Sequence, residues 1–294
     1  MCGLIGYTSD GVKADPRILR ILMTANDKRG GHSTGYYDGD CLNKVIGKSD
    51  GLPMPKKTEI FIGHTRYATH GEKTIANQHP FQYGDVIGAH NGVVHNYREV
   101  GEKFGLDKTE VDSQMIFKAL NKSNKLDTLG KFSGALATLF TLGDGRLYTY
   151  RKTNPLWVGR DGNGGVYFSS LRDVMIKDCK LTNVFQLKEG RVYIWEEGKV
   201  INKVDIEHDP VASKYRAVKK QWWEYNSYGN PSPRTMWKPK KSIYSGITDL
   251  YDDGDGVIKS EIDITDHDLT YDQDQLDLFR CECQENNNDI CLCI

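Results

Sequence analysis

The sequence predicts an α+β fold in which short strands outnumber helices. Apolar, β-branched runs of strand length recur along the chain. Several end at glycine-rich turn signals such as Gly143-Asp144-Gly145 and Asp161-Gly162-Asn163-Gly164. Two stretches instead carry apolar residues at helical spacing. Hairpin-linked strands with a few helices argue α+β rather than alternating βαβ units.

In chain order, Leu4–Tyr7 reads as the first strand. Asp15–Lys28 reads as a helix, with Pro16 at its start and Ile18, Leu19, Ile21, Leu22 and Met23 as its apolar face. Strands follow at Glu59–His64 and Val86–His90. Asp112–Asn121 reads as the second helix, with Met115, Ile116, Ala119 and Leu120 at helical spacing. The remaining strands are expected at Ala135–Thr141, Arg146–Tyr150, Leu156–Gly159, Val166–Ser169 and Arg191–Glu196.

At 294 residues the chain can form one large domain with an appendage, or two modest domains. A net charge of -1 provides no general attraction to nucleic acid or to an anionic membrane. No apolar run approaches the ~20 residues that span a bilayer, and no signal peptide is visible. Seven cysteines do not form the dense pattern of an extracellular disulfide scaffold, so a cytoplasmic protein is expected. Near residue 210 the composition changes. Residues 1–210 are assigned to the main domain and 211–294 to a partly ordered or flexible extension, basic and aromatic over Lys214–Lys241 and acidic from Asp249. Asp253-Gly254-Asp255-Gly256 imitates a calcium loop, but that register puts Tyr251 and Ile262 where carboxylates are needed. Cys281, Cys283, Cys291 and Cys293 form Cys-x-Cys pairs, which are less diagnostic of zinc than Cys-x-x-Cys. No metal or cofactor is therefore assigned.

Chemistry concentrates near the amino terminus. Removal of Met1, usual when a small residue follows, leaves Cys2 with both a thiol and a free α-amine. The thiolate is the nucleophile, and an α-amine of pKa about 7.7–8.0 can take its proton near neutral pH. Further on stand Lys28-Arg29-Gly30-Gly31-His32-Ser33-Thr34-Gly35, then Gly63-His64-Thr65-Arg66-Tyr67-Ala68-Thr69-His70-Gly71, then Ala89-His90-Asn91-Gly92. In this order, after Cys2-Gly3, these segments resemble the class II glutamine amidotransferases, nearest the glutaminase domain of the glutamine–fructose-6-phosphate amidotransferases. The likeness covers roughly the first two-thirds of the chain.

The resemblance implies a four-layer αββα sandwich of two antiparallel sheets, the N-terminal-nucleophile hydrolase type, with the nucleophile opening an inner strand. It implies Cys2 as nucleophile, with the Asn91 side chain and the Gly92 N–H as oxyanion donors. Arg66 would clamp the substrate α-carboxylate, for which a planar guanidinium is the best match. Asp112 would hold the α-ammonium, and Thr69 and His70 would line the glutamine pocket. Read alone, Arg66 also suits a surface ion pair, Asp112 a helix N-cap and Asn91-Gly92 a hairpin turn. His64, His79, His90 and His95 lack a zinc spacing and are expected to make structural hydrogen bonds. Two positions depart from the family pattern: Tyr67 replaces a Trp, and Gly31-His32 replaces an aromatic-or-Pro residue followed by an acidic one.

The expected activity is hydrolysis of L-glutamine to glutamate and ammonia through a Cys2 thioester, with ammonia passed to a synthase or acceptor protein in trans. The alternatives are an N-terminal-nucleophile amidohydrolase acting on another amide, and a non-catalytic partner-binding module.

Overall fold

A computed structural model describes residues 2–69 and 71–208. The boundary near 210, the extension over 211–294, its calcium-loop look-alike and its cysteine pairs lie outside the described residues. The first half holds β1 (Gly3–Thr8), α1 (Pro16–Asp27), β2 (Ser33–Tyr37), β3 (Leu42–Ile46), β4 (Ile60–Arg66), β5 (Phe81–Tyr83) and β6 (Val86–Val94). Next come α2 (Tyr97–Phe104), α3 (Asp112–Ser123), β7 (Gly134–Thr141) and β8 (Leu147–Lys152). The described part ends with β9 (Trp157–Arg160), β10 (Val166–Ser169), α4 (Arg172–Lys177), β11 (Thr182–Gln186), β12 (Arg191–Glu196) and β13 (Lys199–Asp205).

These strands form two antiparallel sheets, one of seven strands ordered β11-β9-β10-β1-β4-β2-β3, the other of six ordered β13-β12-β8-β7-β6-β5. Side chains alternate faces along a strand, and β1 uses the alternation fully. Its Ile5 and Tyr7 turn outward onto Leu19, Leu22 and Met23 of α1. Its Leu4 turns inward, sharing a layer with Ile62, Ala89, Leu139, Phe168 and Trp195 drawn from both sheets. On the far side, Met115, Ile116, Phe117 and Leu120 of α3 pack on Phe140 and Tyr148. The result is helix, sheet, sheet, helix: the αββα sandwich expected. Among the described residues no helix is long and apolar enough to cross a membrane.

Helix α1 starts where anticipated because Asp15 caps it, its carboxylate accepting the Arg17 N–H at 2.8 Å ahead of Pro16. Strand β6 differs from expectation. It runs four residues past His90, so Asn91 and Gly92 lie mid-ladder opposite Ala137 and Leu136 rather than in a hairpin turn. Gly92 can occupy that place because its φ is +147° and a Cβ there would sit 1.7 Å from the Ala135 carbonyl oxygen. Elements without a sequence signal are short or polar. Strand β2 reads Ser-Thr-Gly-Tyr-Tyr, and β13 is an exposed edge strand with four charged or amide side chains.

Candidate active site

Cys2 immediately precedes β1, and the register of that strand decides what surrounds it. Gly3 pairs with Thr65, so the thiol lies beside the end of β4 and the residues that follow it. The Tyr67 N–H donates to Cys2 Sγ at 3.2 Å, and Sγ lies 3.5 Å from the Tyr67 carbonyl oxygen, as donor. From the other side, the turn after α1 brings Arg29, whose Nε donates to the Cys2 carbonyl at 3.0 Å. That turn can approach only because residue 30 is glycine. A Cβ there would lie 2.6 Å from the Thr65 carbonyl oxygen and 2.7 Å from the Tyr67 nitrogen. Burial pushes the Cys2 thiol above its ordinary pKa. The Tyr67 N–H and the Arg66 charge pull it back, and Asp112 adds to the rise.

Arg66 is not the surface ion-pair residue that composition alone allows. It is 2% exposed, and its Nη1 donates to the Glu72 carbonyl at 2.9 Å. Burial lowers its pKa, while Cys2 and Asp112 act electrostatically in the opposite sense. Asp112 is buried too and is not the cap of its own helix. Val111 holds the cap position, while Asp112 Oδ2 accepts the Val94 N–H of β6 at 2.6 Å. Asn91 is buried on β6, with its Nδ2 3.4 Å from Ser170 Oγ. Ser170 in turn binds β1: its Oγ accepts the Leu4 N–H at 3.0 Å, and its own N–H donates to the Leu4 carbonyl at 3.1 Å. Asn154 Nδ2 donates to the Asn91 carbonyl at 2.8 Å.

Thr69 is exposed on the segment following Tyr67, and His70 lies outside the described residues. The remaining candidates divide between the sheets. Cys2 and Arg66 belong to the seven-stranded sheet, and Asn91 and Gly92 to the six-stranded one, with Asp112 at the helix behind it. A thiol influenced by both a buried guanidinium and a buried carboxylate can attack a carbonyl whose owner carries a negative and a positive group. That is the charge pattern of an α-amino acid.

Of the histidines, His64 Nε2 bonds the His90 carbonyl oxygen at 3.0 Å, and His90 Nδ1 bonds Ser113 Oγ at 2.8 Å, as the structural expectation holds. His79 departs from it: neither ring nitrogen has a hydrogen-bond partner, and the ring packs 4.0 Å from that of His64 and 4.4 Å from that of Phe81. Among the described residues no three His, Cys, Asp or Glu side chains group to hold a metal ion. Sequence reasoning missed several supporting residues. Arg29 and His32 stood in a quoted motif without a role. Ser170 and Asn154 are single polar residues at strand ends and carry no signal at all.

Comparison with known proteins agrees with this architecture. The chain is 31% identical over 211 residues to glutamine–fructose-6-phosphate aminotransferase of Campylobacter jejuni, covering 61% of this chain and 34% of that one. It is 28% identical over 302 residues to the Clostridium acetobutylicum enzyme of the same name, covering 90% of this chain and 47% of that one. The chain thus spans a third to a half of the length of these relatives. Among solved structures, a glutamine phosphoribosylpyrophosphate amidotransferase from B. subtilis matches with TM-score 0.55 at 20% identity, over 71% of this chain and 50% of that one. A regulatory enzyme of purine biosynthesis matches with TM-score 0.58 at 19% identity, over the same 71% of this chain and 50% of its own. These two establish the fold. No protein-family model matches the chain.

Proposed function

We propose that this chain, a homologue of the glutamine–fructose-6-phosphate aminotransferases with the fold of a class II glutamine amidotransferase, is a glutaminase unit. It hydrolyses L-glutamine to glutamate and ammonia. The observation that carries this reading is the Cys2 thiol, flanked by the Tyr67 backbone and acted on electrostatically by both Arg66 and Asp112.

Once Met1 is removed, the Cys2 α-amine takes the thiol proton. A thiol whose pKa is raised by burial is mostly protonated at neutral pH, so a base at this spot is required. Arg66 holds the glutamine α-carboxylate and Asp112 its α-ammonium. The sulfur attacks the side-chain amide carbon, and the negative charge that develops on oxygen is met by Asn91 Nδ2 and the Gly92 N–H. The intermediate collapses with the leaving nitrogen protonated by the Cys2 ammonium, which returns to the neutral amine, releasing ammonia and leaving a γ-glutamyl thioester. Water, deprotonated by the same amine, then frees glutamate and restores the thiol. Ammonia passes to an acceptor domain or a synthase partner in trans. A cytoplasmic setting, where thiols stay reduced, suits a free cysteine nucleophile.

The test is ammonia release from glutamine by the full chain and by Cys2→Ala. Loss in the variant is expected, and a variant that still releases ammonia ends the reading. Intact mass accompanies it, since a retained Met1 would block the amine. Amides lacking either the α-amino or the α-carboxyl group should be poor substrates.

A further inference from the structure

The two positions at which the sequence departs from the family pattern touch one another. The His32 and Tyr67 rings stack with centroids 4.7 Å apart and planes at 25°. His32 is anchored on both sides of its backbone, its N–H donating to the Arg66 carbonyl and its carbonyl accepting the Gly47 N–H, each at 3.0 Å. With the backbone held, the ring is aimed: Nδ1 accepts the Ala68 N–H at 3.0 Å. An acceptor nitrogen carries no proton, so this contact requires the neutral ring with its hydrogen on Nε2. The two residues so gripped, Tyr67 and Ala68, form the stretch of backbone whose first member flanks the thiol with both its N–H and its carbonyl.

We propose that His32 is a positioning residue for Cys2: its neutral ring, as acceptor for Ala68 and stacking partner for Tyr67, fixes the backbone against the thiol sulfur. An acidic residue at this position could accept the same N–H, but it would add a negative charge beside the nucleophile. Histidine accepts while remaining uncharged. The arrangement also makes the site sensitive to acid. Protonation turns Nδ1 into a donor facing another donor, and the Ala68 contact is lost. Burial, with the Lys73 and Arg66 charges acting in the same sense, holds its pKa below the ordinary imidazole value. The inactivating protonation therefore falls on the acid side of neutrality.

This inference rests on the glutaminase reading, and the experiment separates the two. Glutamine-dependent ammonia release and alkylation of Cys2 by iodoacetamide, located by peptide mass, are followed across pH in wild type, His32→Asn and His32→Phe. Asn returns an acceptor near Nδ1 without a titrating group, whereas Phe keeps the stack and lacks the acceptor. His32→Phe is expected to lower kcat by about tenfold with KM little changed, the size of one hydrogen bond withdrawn from a transition state. His32→Asn should stay within about threefold of wild type near pH 8, well above the imidazole range.

Below about pH 6.5 the wild-type log rate should steepen from a slope of one, set by the α-amine, toward two. The slope in His32→Asn should remain one. Wild-type rates in His32→Phe, or the same steepening in His32→Asn, overturn the positioning role. Should His32→Phe fail to fold, the slopes of wild type and His32→Asn decide alone. Absence of ammonia release by wild type overturns the glutaminase reading instead, and the alkylation profiles still judge His32.

Discussion

The backbone N–H of Val94 donates a 2.6 Å hydrogen bond to Asp112 Oδ2, tying the start of α3 to β6 two residues beyond Gly92. The same carboxylate acts electrostatically on Cys2 and Arg66. Asp112 therefore has two roles, one as an acceptor and one as a charge. Asp112→Asn keeps an oxygen for Val94 and removes the charge. A loss of about 10- to 150-fold in kcat/KM for glutamine is expected, mostly in KM, matching the 1.5–3 kcal/mol of a charged hydrogen bond. Steady-state kinetics with a urea unfolding curve checks this, since stability should move by less than about 1 kcal/mol. An unchanged KM would remove Asp112 from substrate binding.

Asn91 and Ser170 are expected to differ in size of effect. Asn91→Ala takes away a proposed oxyanion donor and should lower kcat by about 10²–10³-fold. Ser170→Ala removes the 3.4 Å contact with Asn91 and the acceptor of the Leu4 N–H on β1, and leaves the Asn154 bond to the Asn91 carbonyl in place. A reduction of about three- to tenfold suits the loss of such neutral hydrogen bonds. Single-turnover ammonia release compares the two directly, and equal losses would mean that the Ser170 bond to β1 matters as much as the Asn91 donor.

Gly92→Ala tests the backbone rather than the chemistry. At φ +147°, with its Cβ 1.7 Å from the Ala135 carbonyl oxygen, alanine forces β6 and β7 apart. Destabilisation of more than about 3 kcal/mol is expected, a loss in the range of backbone strain added to a ladder disruption. Thermal unfolding measures it. A variant melting with the wild type would show that the strand absorbs the change.

The three buried histidines predict acid lability. Burial lowers the pKa of His64 to about 3, and holds His79 and His90 below the ordinary value as well. The unfolded chain takes up these protons below about pH 6.5 while the folded chain refuses them. Their stabilising contribution is thus complete above that pH and is lost as pH falls toward the folded values. Three such groups give a slope of about 4 kcal/mol per pH unit. His79→Phe should be neutral or stabilising at pH 7, because both ring nitrogens lack partners, and should reduce the slope by about 1.4 kcal/mol per unit. Chemical denaturation at several pH values reads both quantities.

Strongly patterned elements were legible from residues alone. Asp15-Pro16 and the apolar face behind it located α1, and the short apolar run Leu4–Tyr7 located β1. The sandwich itself was not written in periodicity and came from motif resemblance, because sheet pairing depends on residues far apart in sequence. The same distance explains what was missed. Ser170 matters through Leu4 and Asn91, and His32 through Ala68, contacts 166, 79 and 36 residues away along the chain. Asn91-Gly92 has the local chemistry of a turn, yet the ladder with β7 overrides it. Local preference yielded to tertiary pairing there.

The thiol and its proposed oxyanion donors stand on opposite leaves of the sandwich, joined through Ser170, the His64 bond to the His90 carbonyl and the shared apolar layer that includes Leu4, Ala89 and Leu139. Turnover is thereby a gauge of how the leaves are seated. A methyl group added or trimmed in that layer would slide one leaf past the other by a fraction of an ångström. Such slippage would blunt the reaction well before the molecule lost cohesion.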